Sequence, residues 1–180
     1  MATVTGHLSP ELAAQVAAMR AERGLPTLGF YEALTPYPAL FECLEALGTF
    51  VRFHSVLPVR IREIAVLIAA VEQRSAFEWQ THEKTSTEAG VTPALKSAIV
   101  QGTAFAPEDA ALEDVRATVR CVVRQESVPQ AVFDRLHACY GLQGAVELVT
   151  LAAMYRMYAA LGAAFDSTMP GAGPPPWEHG

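Results

Sequence analysis

Glu78, Trp79 and His82 fall together in the stretch "FEWQTHEK", Phe77 to Lys84. Carboxylate and imidazole stand four residues apart, so on a helix they share one face. A carboxylate neighbour favours the imidazolium, the proton-donating form. The Trp79 ring beside them marks a face that is not simply solvated. Upstream, Glu63 leads into the apolar run "IAVLIAAV". A carboxylate at the edge of a buried helix is costly to desolvate unless a donor meets it. Two readings stay open. One is an ion pair with Arg60 or Arg62 that ties helices together; the other is a cavity-lining carboxyl whose proton affinity is raised by burial. Glu63, Glu78 and His82 are the candidate proton-transfer residues, with Trp79 as a candidate substrate contact.

Other chemistries find less support. His7, His54, His137 and His179 have no clear partner in the local sequence. HExxH and paired-histidine spacings are missing, so no metal is expected, and no cofactor. Gly-rich phosphate loops and the GxSxG elbow are missing too. Cys43, Cys121 and Cys139 stand far apart and read as small buried apolar residues, not as a disulfide or zinc framework.

These groups have to be positioned by helices. "SPEL" offers Ser9 as a cap and Pro10 at the first helical position, and Gly24 closes that segment. An irregular Pro/Gly-rich connection around a short helical turn follows. Further helices are expected over "ALFECLEALGTFVRF" and "PVRIREIAVLIAAVEQ". Ser75 is placed to cap "AFEWQTHEKTSTEA", which Gly90 ends; Thr92 and Pro93 open the next helix, which runs to Gly102. The last three helices are "PEDAALEDVRATVRCVVRQ", "SVPQAVFDRLHACYG" and "GAVELVTLAAMYRMYAALGAAF". No segment alternates with period two between turn signals. The expected fold is all-α, with about eight helices. "REIAVLIAAV" and "VELVTLAAMY" are apolar nearly all round, each with a glutamate at its edge, and resemble a weak internal repeat. Such helices are surrounded by protein, in their own subunit or in an oligomer. The tail "PGAGPPPWEHG" is too rich in Pro and Gly for a regular element and is expected to be disordered or to wrap a neighbour.

The 180 residues, 51% of them hydrophobic, suffice for one core. Thirteen Lys+Arg against 19 Asp+Glu give a net charge of -6, which argues against nucleic acid or an anionic membrane as partner. Apolar runs are too short or interrupted to span a bilayer, and "MATVTGHLSPELAAQ" lacks a basic region followed by an apolar stretch. A cytoplasmic protein acting on a small molecule is expected.

From Leu57 to Gly102, "LPVRIREIAVLIAAVEQRSAFEWQTHEKTSTEAGVTPALKSAIVQG", the chain resembles the carboxymuconolactone decarboxylase family, within the alkylhydroperoxidase D-like (AhpD-like) superfamily. The pattern is R-x-R-E, an apolar helix, "EW" followed by x-x-H, and a helix ending in A-G-V. "YPALFECLEALGTF" and the late helix fit the flanks. The resemblance implies an AhpD-like domain over 25–165, with the N-terminal helix over 1–24 before it and the tail over 166–180 after it. It also implies a homo-oligomer, trimer or hexamer, assembled through apolar helices.

Redox members of the superfamily carry C-x-x-C-x-x-x-H with a glutamate before it. Counted back from His82, those cysteine positions hold Ser75 and Glu78, while the glutamate position holds Glu63. The thiols of a peroxide-reducing cycle are therefore missing from the motif. The decarboxylase members imply cofactor-free acid/base chemistry on a small organic acid or lactone. His82 would donate the proton, Glu63 and Glu78 would set its state, and Arg60 or Arg62 would receive the substrate carboxylate. The alternatives are a peroxidase-like antioxidant protein and a non-catalytic ligand-binding oligomer.

Overall fold

The computed structural model describes residues 10–23 and 27–178. Eight α-helices follow one another, and no strand occurs among the described residues. They are α1 (Pro10–Arg23), α2 (Tyr31–Leu34), α3 (Pro38–Thr49), α4 (Val59–Glu72), α5 (Ala76–Glu88), α6 (Pro93–Gln101), α7 (Leu112–Arg124) and α8 (Gln130–Ala164). Ser9, Gly24, His7 and His179, named above, lie outside the described residues.

The apolar run after Glu63 explains the architecture. Residues Ile64 to Ala70 are 0–2% exposed, and α4 packs against α5, α6, α7 and α8. Fully burying a leucine or isoleucine is worth roughly 1.5–3 kcal/mol, so this helix alone anchors the bundle. Glu72, at its C-terminal end, is clamped by Arg120 at 2.6 Å and Arg124 at 2.9 Å on α7. The apolar run of α4 is enclosed by its own subunit, one of the two surroundings expected for such a helix.

Several local expectations are refined. The Thr92 hydroxyl accepts from the Leu95 amide, and Gly102 caps α6 with φ 66°. Ser75 precedes α5 but makes no side-chain cap. Pro107–Asp109 forms a separate 3-10 turn, and α7 begins only at Leu112. The last two expected helices run on as α8, broken at Gly141, whose φ of 72° and ψ of 171° only glycine adopts easily. After α3 the backbone widens into a π-helical turn, Phe50–His54. The tail folds back on its own chain: Gln80 donates to the Gly173 carbonyl at 2.7 Å, and Trp177 packs edge-on against Trp79, ring centroids 5.9 Å apart. Its aromatic anchor outweighs the weak ordering tendency of its prolines and glycines.

Gly29 has φ +58°, and a Cβ there would collide with the Phe77 ring. Gly29→Ala combines a left-handed backbone with overpacking, and is expected to lower stability by about 3 kcal/mol, read as a fall in Tm by calorimetry.

Candidate active site

Three helices each present one face to a common cavity of about 1010 Å³. From α4 come Val59, Arg62, Glu63 and Val66; from α5, Glu78, Thr81, His82 and Thr85; from α8, Leu151, Met154, Tyr155 and Tyr158. In every case the spacing is i, i+3, i+4, i+7, the stripe a single helix face allows. Glu45, Gly48, Thr49 and Arg52 repeat that spacing from α3 into the π-helical turn, and Phe30 and Tyr31 add an aromatic wall.

At the centre lies a chain of hydrogen bonds across three helices. His82 Nδ1 is 3.0 Å from Glu63 Oε2, and His82 Nε2 is 2.9 Å from the Tyr155 hydroxyl. The Thr85 hydroxyl donates to the same Glu63 oxygen at 2.9 Å. In the imidazolium form both ring nitrogens donate, one to Glu63 and one to Tyr155. In the neutral form Nδ1 keeps its proton toward the carboxylate, and Nε2 accepts from the phenol.

The electrostatics favour a charged Glu63–His82 pair. Burial pushes the Glu63 carboxyl up, but the hydrogen bond and charge of His82, with Thr85 and Arg62, bring it below the usual carboxylate range. Burial pushes His82 down, but the Glu63 hydrogen bond and charge, with Glu78 behind, hold it above its ordinary value. Burial, then the charges of Glu78 and Glu63, keeps Tyr155 well above its ordinary value, so it works as a hydroxyl and not as a resting phenolate.

Glu78 differs from its neighbours. It is 4% exposed and lines the cavity, and its carboxyl makes no hydrogen bond among the described residues. Burial pushes it up to about 7, and His82 only partly offsets this. Near neutral pH it exists as both acid and carboxylate, a useful property in a proton donor or acceptor.

Of the residues singled out in the sequence, Glu63, Arg62, Glu78 and His82 meet at this cavity, whereas Arg60 and Trp79 do not line it. Arg60 bridges to Asp109 at 2.8 Å and donates to the Gly90 carbonyl, while Trp79 is buried against Trp177. Helical geometry is the reason. Trp79 lies about 100° of helical turn beyond Glu78, and Arg60 about 200° before Arg62, which takes both off the stripes that line the cavity. Arg62 donates Nη1 to the main-chain carbonyls of Val51 and Arg52. Glu147, the second glutamate at the edge of an apolar run, accepts from the Ser55 hydroxyl at 2.6 Å and the Val56 amide at 2.8 Å, holding α8 to the connection before α4.

Sequence reasoning missed Tyr155, Tyr158, Tyr31 and Arg52. The Tyr31 and Tyr158 hydroxyls meet at 2.6 Å, and Arg52 is paired with Glu45 at 3.1 Å. A signal existed for α8: Tyr155 and Tyr158, the only hydroxyl-tipped rings in its late apolar stretch, stand at i and i+3 of one face.

No family model matches the chain, and no curated protein does. Among solved structures, the chain is similar to the debrominase Bmp8, crystallised as a cysteine-to-alanine variant in complex with 2,3,4-tribromopyrrole. The match has a TM-score of 0.73 at 18% identity and covers 95% of this chain and 94% of that one. The chain has an AhpD-like fold. That fold is the all-helical one expected from the sequence. No described helix is long and apolar enough to cross a membrane.

Proposed function

We propose that this AhpD-like protein is a cofactor-independent acid/base enzyme that moves a proton on a small organic acid or lactone, in the manner of a carboxymuconolactone decarboxylase. The observation that carries the reading is the Glu63–His82–Tyr155 chain, which ends at a cavity wall beside the unpartnered Glu78. Glu63 fixes the imidazole and stabilises its charge; Tyr155 relays the proton between Nε2 and the ligand. In a decarboxylation the C–CO2 bond breaks, its electron pair enters an enolate, and a carbon of that enolate takes the relayed proton, with no oxidant or reductant required. Arg62, facing the cavity without a carboxylate hydrogen-bonded to it, supplies positive charge for an anionic substrate.

The size of the cavity suits a ring-bearing ligand, as does its aromatic wall of Phe30, Tyr31, Phe77 and Tyr158. The debrominase holds a small flat ring, a precedent for such a ligand in this fold. The peroxidase-like alternative is disfavoured by the positions of Cys43, Cys121 and Cys139: none lines the cavity, and Cys43 and Cys139 are exposed, not buried as expected. For assembly as a homo-oligomer we propose a surface other than α4. Phe50, Val56, Leu142 and Val146, each at least 42% exposed, form an apolar surface beside a second cleft.

The test is turnover of 4-carboxymuconolactone, followed by ultraviolet absorbance and released CO2, in deuterated water. The expected result is CO2 release with one solvent deuterium on a ring carbon of the product. If the wild-type protein gives no turnover, that substrate is excluded; if the non-catalytic alternative holds, small acids bind without any deuterium incorporation.

A further inference from the structure

The cavity wall carries a proton donor and, beside it, a carboxyl that the donor does not use. Glu63, His82 and Tyr155 form a continuous line of hydrogen bonds. Glu78 stands outside that line, 4% exposed and facing the cavity, its carboxyl without a hydrogen bond among the described residues. A relay that only delivers a proton needs no second carboxyl. One left unpartnered within reach of a ligand is placed to take a proton.

The line has a direction. With the Glu63–His82 pair charged, Nε2 donates to the Tyr155 oxygen at 2.9 Å. Among the described residues the Tyr155 hydroxyl meets no other acceptor, so its own proton is available to the cavity, backed by a cation. Glu78 lies close by: it sits one helical turn, about 5.4 Å, from His82 along α5, and its charge acts on Tyr155 ahead of that of Glu63. A carbonyl oxygen and a hydrogen on the adjacent carbon fit between such a donor and such an acceptor. Ionised Glu78 repels an anion, whereas a neutral carbonyl compound meets no such repulsion. The aromatic wall of Phe30, Tyr31 and Phe77 suits a ring.

We infer that the site also enolises neutral ring ketones, Glu78 taking a proton from the carbon beside the carbonyl while Tyr155, held by His82, donates to the carbonyl oxygen. The inference goes beyond the proposed function, because the substrate has no carboxyl to lose and the proton is first removed from carbon. It rests on that reading for the identity of the site. The C–H bond breaks toward the Glu78 carboxylate, its electron pair forms the C=C bond of the enol, and the carbonyl π pair moves to oxygen. That oxygen takes the Tyr155 proton, and Tyr155 takes the one on Nε2. If the ketone is β,γ-unsaturated, Glu78 returns its proton to the γ carbon, the oxygen gives its own back to Tyr155, and the conjugated isomer leaves. No oxidant or reductant enters.

Burial sets the Glu78 carboxyl at about 7, a base strength suited to neutral pH. The groups facing it are His82 on its own helix, Arg62 and Glu63 on α4, and Tyr155 and Tyr158 on α8. Of these, the His82 charge acts on Glu78 and lowers it.

The probes are cyclohex-3-enone, whose conversion to the conjugated isomer is followed by ultraviolet absorbance, and 2-indanone, whose exchange of α protons in deuterated water is followed by NMR. Wild type is expected to turn over at least one at 10² times the buffer rate or more. The rate should rise about tenfold per pH unit up to 7 as Glu78 ionises, and fall again as His82 loses its proton. Glu78→Gln should lose about 10²-fold or more, and Tyr155→Phe about 10²–10³-fold. In His82→Gln, whose amide still donates, the rising limb should persist at a lower rate and move to higher pH, because the charge that lowers Glu78 is gone. Should Glu78→Gln fail to fold, that limb and the Tyr155→Phe loss carry the reading. The inference is overturned by buffer rates with both ketones, by Glu78→Gln or Tyr155→Phe within threefold of wild type, or by loss of the rising limb in His82→Gln. Failure of the decarboxylation assay leaves these results intact, since neither ketone carries a carboxyl; decarboxylation without ketone turnover overturns this inference alone.

Discussion

Replacing His82 by alanine is expected to lower kcat on a turned-over substrate by about 10²–10⁴, the contribution of a positioned general acid or base, with a much smaller change in KM. The imidazole is the link between Glu63 on α4 and Tyr155 on α8, so its loss leaves a carboxylate and a phenol with no path between them. Tyr155→Phe breaks the same path one atom later and should cost a similar factor. Because the two residues act in series, the double variant should lose little more than either alone. Glu63→Gln keeps the geometry but removes the charge that holds His82 above its ordinary value. It should therefore shift the basic limb of the kcat–pH profile to lower pH. The sign follows from the protonation state: a step that needs the imidazolium runs below the His82 pKa and fades as pH rises through it. A His82→Ala enzyme with wild-type kcat would remove the relay from the mechanism.

The second large effect concerns stability. Burial raises Glu78 from an ordinary 4.5 to about 7. A group whose folded pKa lies above its unfolded value stabilises fully below the unfolded pKa, and that contribution drains away as pH rises through the folded one. Ionised Glu78 thus burdens the native state by on the order of 3 kcal/mol at pH 9. Glu78→Gln should unfold at nearly the wild-type denaturant midpoint at pH 4 and become the more stable protein as pH rises above 4.5, the gap growing to about pH 7 and then levelling off. Chemical denaturation at several pH values reads this directly. Glu63 and His82 act differently: the lowered carboxyl loses its contribution as pH falls through its folded pKa, and the raised imidazole as pH rises through its own. Both residues remain in Glu78→Gln, where loss of the Glu78 charge also lowers His82, so the difference between the two proteins reads Glu78 together with its coupling to His82. A gap that stays flat from pH 4 to pH 9 would show that Glu78 is not the buried, unpartnered acid described here.

Glu78 also shows why a useful site residue can be a structural liability. Satisfying it from within the protein would stabilise the fold and close the group to any ligand. Left unpartnered at a cavity wall, it trades stability for a hydrogen bond available to whatever enters.

How much of this was legible in the residues varies with the distance over which the physics acts. Helix existence, the Thr92 cap and the glycine ends at Gly90 and Gly102 are local properties of spacing and backbone freedom, and they emerge as expected. So does the shared face of Glu78 and His82, because one turn of helix fixes it. The same arithmetic, applied one residue further, would have turned Trp79 and Arg60 away from that face. What no local rule contains is the meeting of α4, α5 and α8. Glu63 has Arg60 and Arg62 as its sequence neighbours, yet its hydrogen bonds are to His82 and Thr85 on another helix. Tyr155 lies 73 positions from His82 and meets it only because both helices pack around α4. The sequence by itself therefore determined the helices, the apolar helix at their centre and the candidate acid and base on one stripe. Tertiary packing alone decided which partner each polar group receives and left the Glu78 carboxyl at the cavity wall without one, because hydrogen bonding and burial depend on neighbours in space.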